Sequence, residues 1–211
     1  MKKTLAVLSL LALLFVATAC SNEEKIPDSY EYIKLLASEE YFLDVSFIYD
    51  GEVYYNTLAQ KDGVMAGRSS TLSLDLSDIR TLTSDGITYF INDEDKVYFE
   101  AQGAAGLENA VNYSSAKYKK SGKGMTSFGR ELSYDEYSCF TYDGMPCVTR
   151  LYLDDNGMLS AIADYEVADG EIASYLERAV SVFTSEIPDG WLDIPSDYTD
   201  IGEDEFFERY Y

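Results

Sequence analysis

Apolar and polar positions alternate with period two over much of this chain. In "YFLDVSFIY", Leu43, Val45, Phe47 and Tyr49 alternate with Asp44, Ser46 and Ile48, and Leu72, Leu74 and Leu76 alternate with Ser73 and Asp75. That period places one apolar face along an extended strand. Similar β-branched and aromatic runs recur as "EVYYNTLAQ", "ITYFIND", "KVYFEAQ", "SCFTY", "CVTRLYLDD" and "MLSAIADYEV". Between them lie Asp50-Gly51, Asp62-Gly63, Asp85-Gly86, Asp143-Gly144 and Asp169-Gly170, with Asn156-Gly157 and Asp189-Gly190 adding the same chemistry. A type I′ turn needs positive φ at both central residues, which glycine accepts freely and aspartate or asparagine tolerate, so these pairs predict hairpins. About ten strands joined by short turns make an antiparallel meander, and burying its apolar face requires that the sheet curl or split.

A helical period appears in two places. "SYEYIKLLASEEYF" carries Tyr32, Ile33, Leu36 and Ala37 on one stripe, with Ser29 as the expected N-cap. "AAGLENAVNYSSAKY" predicts a second, shorter central helix. "GEIASYLERAVSVF" fits either period; the preceding Asp169-Gly170 and the β-rich "AVSVF" favour a long strand. The fold class expected is mainly β with minor α: a curled antiparallel sheet, an incompletely closed barrel of about ten strands, with an N-terminal helix and a short central helix.

The start of the chain follows a different pattern. Lys2 and Lys3 precede the apolar run "TLAVLSLLALLFVATA", which is short for a membrane span and suited to a signal peptide. Ala17, Thr18 and Ala19 before Cys20 form a lipobox-like site, at which the thiol is acylated and becomes the new N-terminus. Ordinary secretory cleavage after Ala19 is the alternative, and it too exports the chain. The expected organisation is therefore a signal peptide over 1–19, a lipidated cysteine and short tether over 20–27, and a single β-rich domain over 28–211. The expected location is the extracytoplasmic face of the cell membrane, held by acyl chains such as palmitate.

Charge and composition narrow the function. The formal net charge is −22 over the whole chain, and losing Lys2 and Lys3 makes it two units more negative. Such a balance excludes nucleic acid as a partner. Histidine is absent, which rules out serine-histidine-acid triads and histidine-ligated zinc or haem. No acidic cluster has the oxygen spacing of an EF-hand loop, so no metal and no cofactor is expected, and with so many carboxylates no catalytic pair stands out. An enzyme is not expected. Cys139 and Cys147 flank "FTYDGMP" and form a candidate disulfide in an oxidising compartment. Ideal two-residue turn geometry at Asp143-Gly144 sets Cys139 opposite Val148, one position out of register, unless Pro146 marks a bulge. The segment "KYKKSGKG" reads as a solvated loop whose Lys117, Lys119, Lys120 and Lys123 are candidate contacts to anionic headgroups.

Two stretches, "SDGITYFINDEDKVYFE" and the closing "IPDGWLDIPSDY", together with the order helix, meander and closing segment, resemble the small Gram-positive lipoproteins related to the LolA-like lipoprotein carriers. The resemblance implies an open half-barrel with helices plugging its mouth and acyl chains or other apolar ligands held between them, with no catalytic residues and no cofactor. By alternation, the ligand-binding candidates on the apolar concave face are Val45, Phe47, Val53, Tyr55, Tyr89, Ile91, Val97, Phe99, Leu151 and Leu153. The function expected is a membrane-anchored, non-catalytic lipoprotein that binds a lipid-like or lipoprotein ligand. The alternative is an acidic surface module that binds a partner protein near the membrane. The oligomeric state is left open.

Overall fold

The computed structural model describes residues 26–71, 79–103, 110–168 and 171–210. Cys20, Leu72, Leu74, Leu76, the Asp169-Gly170 pair and residues 104–109 of the expected central helix lie outside the described residues.

Helix α1 (Tyr30–Ser38) leads into eleven strands: β1 (Tyr41–Tyr49), β2 (Glu52–Lys61), β3 (Val64–Thr71), β4 (Ile79–Ser84), β5 (Ile87–Asn92), β6 (Val97–Gln102), β7 (Val111–Met125), β8 (Glu131–Thr141), β9 (Pro146–Leu153), β10 (Leu159–Ala168) and β11 (Glu171–Thr184). A two-residue strand β12 (Thr199–Asp200) and helix α2 (Glu203–Tyr210) follow. All twelve strands join one sheet in the order β12-β6-β5-β4-β3-β2-β1-β11-β10-β9-β8-β7. Every pairing is antiparallel except that of β12 with β6, so the sheet is mixed and is not closed into a full barrel.

The turns follow from their residues. Asp50, Asp62 and Asp85 each have φ of 50–52°, and the glycine after each has φ of 78–80°, as type I′ turns require. The hairpins β7–β8, β8–β9 and β9–β10 use three-residue loops instead: Thr126 donates to Arg130, Thr141 to Met145 and Asp154 to Met158, and Gly129, Gly144 and Gly157 take the positive φ.

Antiparallel register assigns every side chain to a face. Leu43, Leu58, Gly67, Thr81, Phe90 and Phe99 share one face across β1–β6, and Arg178, Ile162, Leu151 and Asp135 share it across β11–β8. That face is the inside of the curl. On a flat sheet β1 and β7, with four strands between them, would stand about 24 Å apart, whereas the nine residues of α1 span only about 14 Å. Yet α1 packs on both strands. Ile33 and Leu36 enter one cluster with Leu43, Val45, Tyr137, Leu151 and Ile162, which the sheet can supply only by wrapping around the helix.

The last residues wrap round the opposite edge. Trp191, Leu192, Ile194 and Tyr198 pack on Ala66, Leu82 and Ile91 of the outer face. The chain then pairs with β6 as β12, through Thr199 N donating to Lys96 O and Ile201 N to Tyr98 O, both at 3.0 Å. Helix α2 returns to the inner face, where Phe206 is fully buried against Val97, Phe99 and Ile79.

The described part of the central helix segment is strand: residues 111–118 open β7, and their small and polar side chains need only one partner strand at the sheet edge. "KYKKSGKG" lies within β7 and is not a loop. The first helix ends at Ser38, because Glu39 takes a left-handed conformation (φ 56°) and Tyr41 and Phe42 already belong to β1. Ser29 stands at the N-cap but makes no capping bond; its hydroxyl meets Tyr137 instead. The segment over 171–184 is a strand, as its β-rich end suggests.

Candidate functional site

On the inner face, α1 covers the β7–β11 half and α2 covers β4–β6. Between them lies an open cleft of about 220 Å³, floored by β2–β5. Leu58, Ile79 and Phe90 give it an apolar floor, with Gly67 and Thr81 between them. Leu58 also touches the cluster under α1, while Ile79 and Phe90 belong to the cluster under α2. The cleft is thus the gap between two packed units of core.

Glycine at position 67 keeps the floor deep, since a Cβ there would stand 3.3 Å from Leu58 Cδ2. Two polar pairs of the cleft are bonded internally, Ser69 donating to Asn56 Oδ1 at 2.6 Å and Thr81 to the Gly67 carbonyl at 3.3 Å, while the Nε of Arg68 is buried without a hydrogen-bond partner. The apolar floor suits a hydrocarbon group, and the open Nε of Arg68 at the rim leaves room for one polar contact. A volume of this size accommodates on the order of seven water-sized groups, enough for a short acyl or isoprenoid segment. A second hollow of about 320 Å³, between Lys61 and the segment Ser185–Asp193, has a mixed lining in which Ile187, Pro188 and Leu192 stand beside polar groups.

Arg68 reaches the cleft rim from the outer face and is engaged by Asp93. Arg80, almost wholly buried, holds Asp93 through two bonds at 3.1 Å and donates to the Trp191 and Asp193 carbonyls. Burial alone would raise the Asp93 pKa, but the hydrogen bonds from Arg80 and Arg68 outweigh it and hold the carboxyl below its ordinary value. This cluster bolts the C-terminal segment to the sheet behind the cleft.

A second polar network stands on the inner face beyond α1. Arg178 contacts Asp164, which also accepts from Tyr113 at 3.0 Å and Thr149 at 2.6 Å. Burial raises the Tyr113 pKa well above the usual phenol value. The network joins edge strand β7 to β10 and β11.

The ten ligand-binding candidates divide between the two faces. Val45, Phe47, Val97, Phe99, Leu151 and Leu153 are on the inner face, all but Phe47 buried; Val53, Tyr55, Tyr89 and Ile91 are on the outer face. None of the ten lines the cleft. The residues that do so on β2 and β5 are their neighbours in the opposite phase, Leu58 and Phe90. On β2 the outer phase holds both the fully buried Ala59 and the exposed Tyr55, so side-chain size did not mark which phase faces the cleft.

Cys139 faces Cys147 directly, in contrast to the ideal two-residue register, because the three-residue loop with Gly144 adds one residue to the turn. Both thiols are free and buried. Burial pushes Cys139 up to about 12 and Cys147 up to about 11, so neither is a thiolate at neutral pH. Lys117, Lys119, Lys120 and Lys123 are exposed on β7. Among the described residues no group of three or more cysteine, aspartate or glutamate side chains is arranged to hold a metal ion, and no helix is long and apolar enough to cross a membrane.

No family model and no curated protein matches the chain. Among solved structures, the crystal structure of an uncharacterized conserved protein from Thermus thermophilus aligns with a TM-score of 0.40 and 9% identity, covering 82% of this chain and 99% of that one. A likeness of that degree carries no argument about function.

Proposed function

We propose that this chain is a membrane-anchored, extracytoplasmic lipoprotein that holds the apolar part of a lipid-like ligand without chemical conversion. The observation that carries the reading is the cleft between α1 and α2, with Leu58, Ile79 and Phe90 as its floor. Acylation at Cys20 would keep this cleft beside the bilayer from which such a ligand comes. The resemblance to LolA-like carriers agrees with an open sheet plugged by helices.

The test is native mass spectrometry with lipid extraction on the exported chain. An acyl or isoprenoid species is expected to co-purify, and to be lost in Leu58→Arg and Thr81→Trp variants that keep their β-sheet circular dichroism. A chain that arrives empty, and takes up no fatty acid or polyprenyl phosphate when these are supplied, sinks the proposal.

The second reading, a partner-binding module, is favoured by one feature. Ile48, Tyr55 and Val182 are exposed together on the outer face of β1, β2 and β11, between the parts covered by the C-terminal segment and by the β8–β10 cluster. An empty cleft together with a partner lost on Tyr55→Ser would favour it.

A further inference from the structure

Edge strand β7 carries Lys117, Lys119, Lys120 and Lys123 within seven positions, and no acidic residue falls anywhere in its fifteen. Lys120 pairs with Glu136 at 3.4 Å, while Lys117, Lys119 and Lys123 make no ion pair among the described residues. Beside them Tyr118 and Met125 expose apolar surface. In a chain of net charge −22 this strand is a cationic stripe.

The stripe lies where the N-terminal tether enters the fold. Ser29, fully buried at the start of α1, donates its backbone N–H to Asp135 Oδ2 at 2.8 Å and shares a 2.7 Å hydrogen bond with the Tyr137 hydroxyl. Asp135 and Tyr137 lie on β8 directly opposite Ser121 and Tyr118 of β7. Ser121 donates to Asp135 Oδ1 at 2.6 Å, so Ser29 and Ser121 hold the two oxygens of one carboxylate. Tyr118 meets the Tyr137 ring edge-on at 6.0 Å. The point from which the chain runs back to Cys20 is thereby pinned one strand away from the lysines.

Nine peptide steps separate Cys20 from Ser29, at most about 30 Å when extended. With Cys20 in the bilayer, β7 cannot stand far from the headgroups. We infer that the free edge of the sheet at β7, with Lys117 and Lys120 on its outer side and Lys123, Tyr118 and Met125 on its inner side and Lys119 between them, docks edge-on against anionic phospholipid and fixes the orientation of the tethered domain. The inference rests on anchoring through Cys20. Without such an edge, the acidic body would be repelled from the surface that holds its tether, and the acids Glu23, Glu24 and Asp28 near the anchor would add to that repulsion. The long lysine stems allow their charges to reach phosphates while Tyr118 and Met125 rest at the interface.

The experiment couples the mature chain, beginning at Cys20, to maleimide-bearing lipid; Cys139 and Cys147 are buried, so Cys20 is the thiol that reacts. Vesicles of phosphatidylcholine alone are compared with vesicles containing phosphatidylglycerol, and lysine accessibility is read by pulse acylation and mass spectrometry. Lys117, Lys119 and Lys123 are expected to lose reactivity several-fold on the anionic vesicles, with Lys61 at the end of β2 unchanged. High salt should restore their labelling, and K117E/K119E/K123E should abolish the protection of Lys120.

Equal labelling of the β7 lysines on both vesicle types would overturn the inference. So would protection that appears without vesicles and grows with protein concentration, which would make β7 an edge where two copies pair. Because coupling is chemical, these outcomes do not depend on cellular acylation, which is read separately by release of a Cys20→Ala chain into the medium.

Discussion

Arg80 donates from Nη1 to the carbonyl of Trp191 at 2.7 Å, across 111 positions of sequence. Its other nitrogens reach Asp93 and the Asp193 carbonyl, so a nearly buried guanidinium has every side occupied. Trp191 in turn stacks edge-on against Phe42 at 5.2 Å and lies beneath Arg68.

Replacing Asp93 with asparagine leaves the Arg80 charge buried without its counter-ion, and should cost about 3 kcal/mol. The pH dependence has a definite sign. The folded-state pKa of Asp93 lies below the unfolded one, so its contribution is complete above the unfolded carboxylate value and is lost as pH falls through the folded value. Urea unfolding at neutral and acid pH should show Asp93→Asn destabilised at neutrality, with the gap to the parent narrowing in acid. An equal gap at both pH values would show that the charge of Asp93 is not what matters.

Phe206 anchors α2 by filling the space against Phe99, with ring centroids 4.9 Å apart. Phe206→Ala should cost about 3–4 kcal/mol if unfolding is two-state. If α2 instead detaches alone, hydrogen exchange should rise over 203–210 while β1 and β2 stay protected. Phe206 is also packed with Ile79 and Phe90, so the variant should widen the cleft and weaken retention of an apolar ligand.

The facing of Cys139 and Cys147 predicts contrasting behaviour in folded and unfolded protein. Opposed residues of an antiparallel pair stand about 4.5–5.5 Å apart at Cα, within disulfide range. Iodoacetamide should label neither thiol in the reduced, folded protein. Refolding through a disulfide-exchanging oxidant should close the nine-residue loop and lower the intact mass by the two thiol hydrogens, adding about 2.5 kcal/mol to stability. The raised thiol pKa values mean that the reduced form is fully stabilised below the unfolded thiol value and weakens as pH rises toward the folded ones; Cys139→Ala/Cys147→Ala should flatten that alkaline limb.

Tyr134 lies over Gly122, where a Cβ would sit 2.7 Å from the phenol ring. The same ring supports the Arg150 guanidinium at 4.6 Å. Gly122→Ala should displace Tyr134 and cost about 1–3 kcal/mol in urea unfolding. In the double variant with Tyr134→Ala most of that loss should vanish, since the overlap is then gone.

Legibility varied with how local the governing physics is. The stripe of α1 is legible because Ile33 and Leu36 recur at helical spacing, and three type I′ turns are legible because aspartate and glycine take the required φ. Helix α2 is hard to read: it is strongly acidic, and one residue, Phe206, supplies its buried contact. Strand β7 shows no clean alternation because its register against β8 shifts between Asn112 and Lys117 and again between Tyr118 and Lys120. The register of Cys139 turned on one extra loop residue at Gly144, and the phases of β2 and β5 turned on which face the sheet curls toward.

The amino-acid sequence by itself determined that this chain is a turn-rich β domain with an amphipathic helix after its N-terminal segment, and that histidine-based chemistry is absent. Those features depend on backbone preference, period and composition, all of which act within a few residues. Only the tertiary structure decided that the C-terminal segment crosses both faces of the sheet, that the lysine strand adjoins the tether, and that a gap remains between the helices. These depend on contacts such as Arg80 with Trp191 and Ser29 with Tyr137, whose partners lie more than a hundred residues apart and meet only once the sheet has assembled.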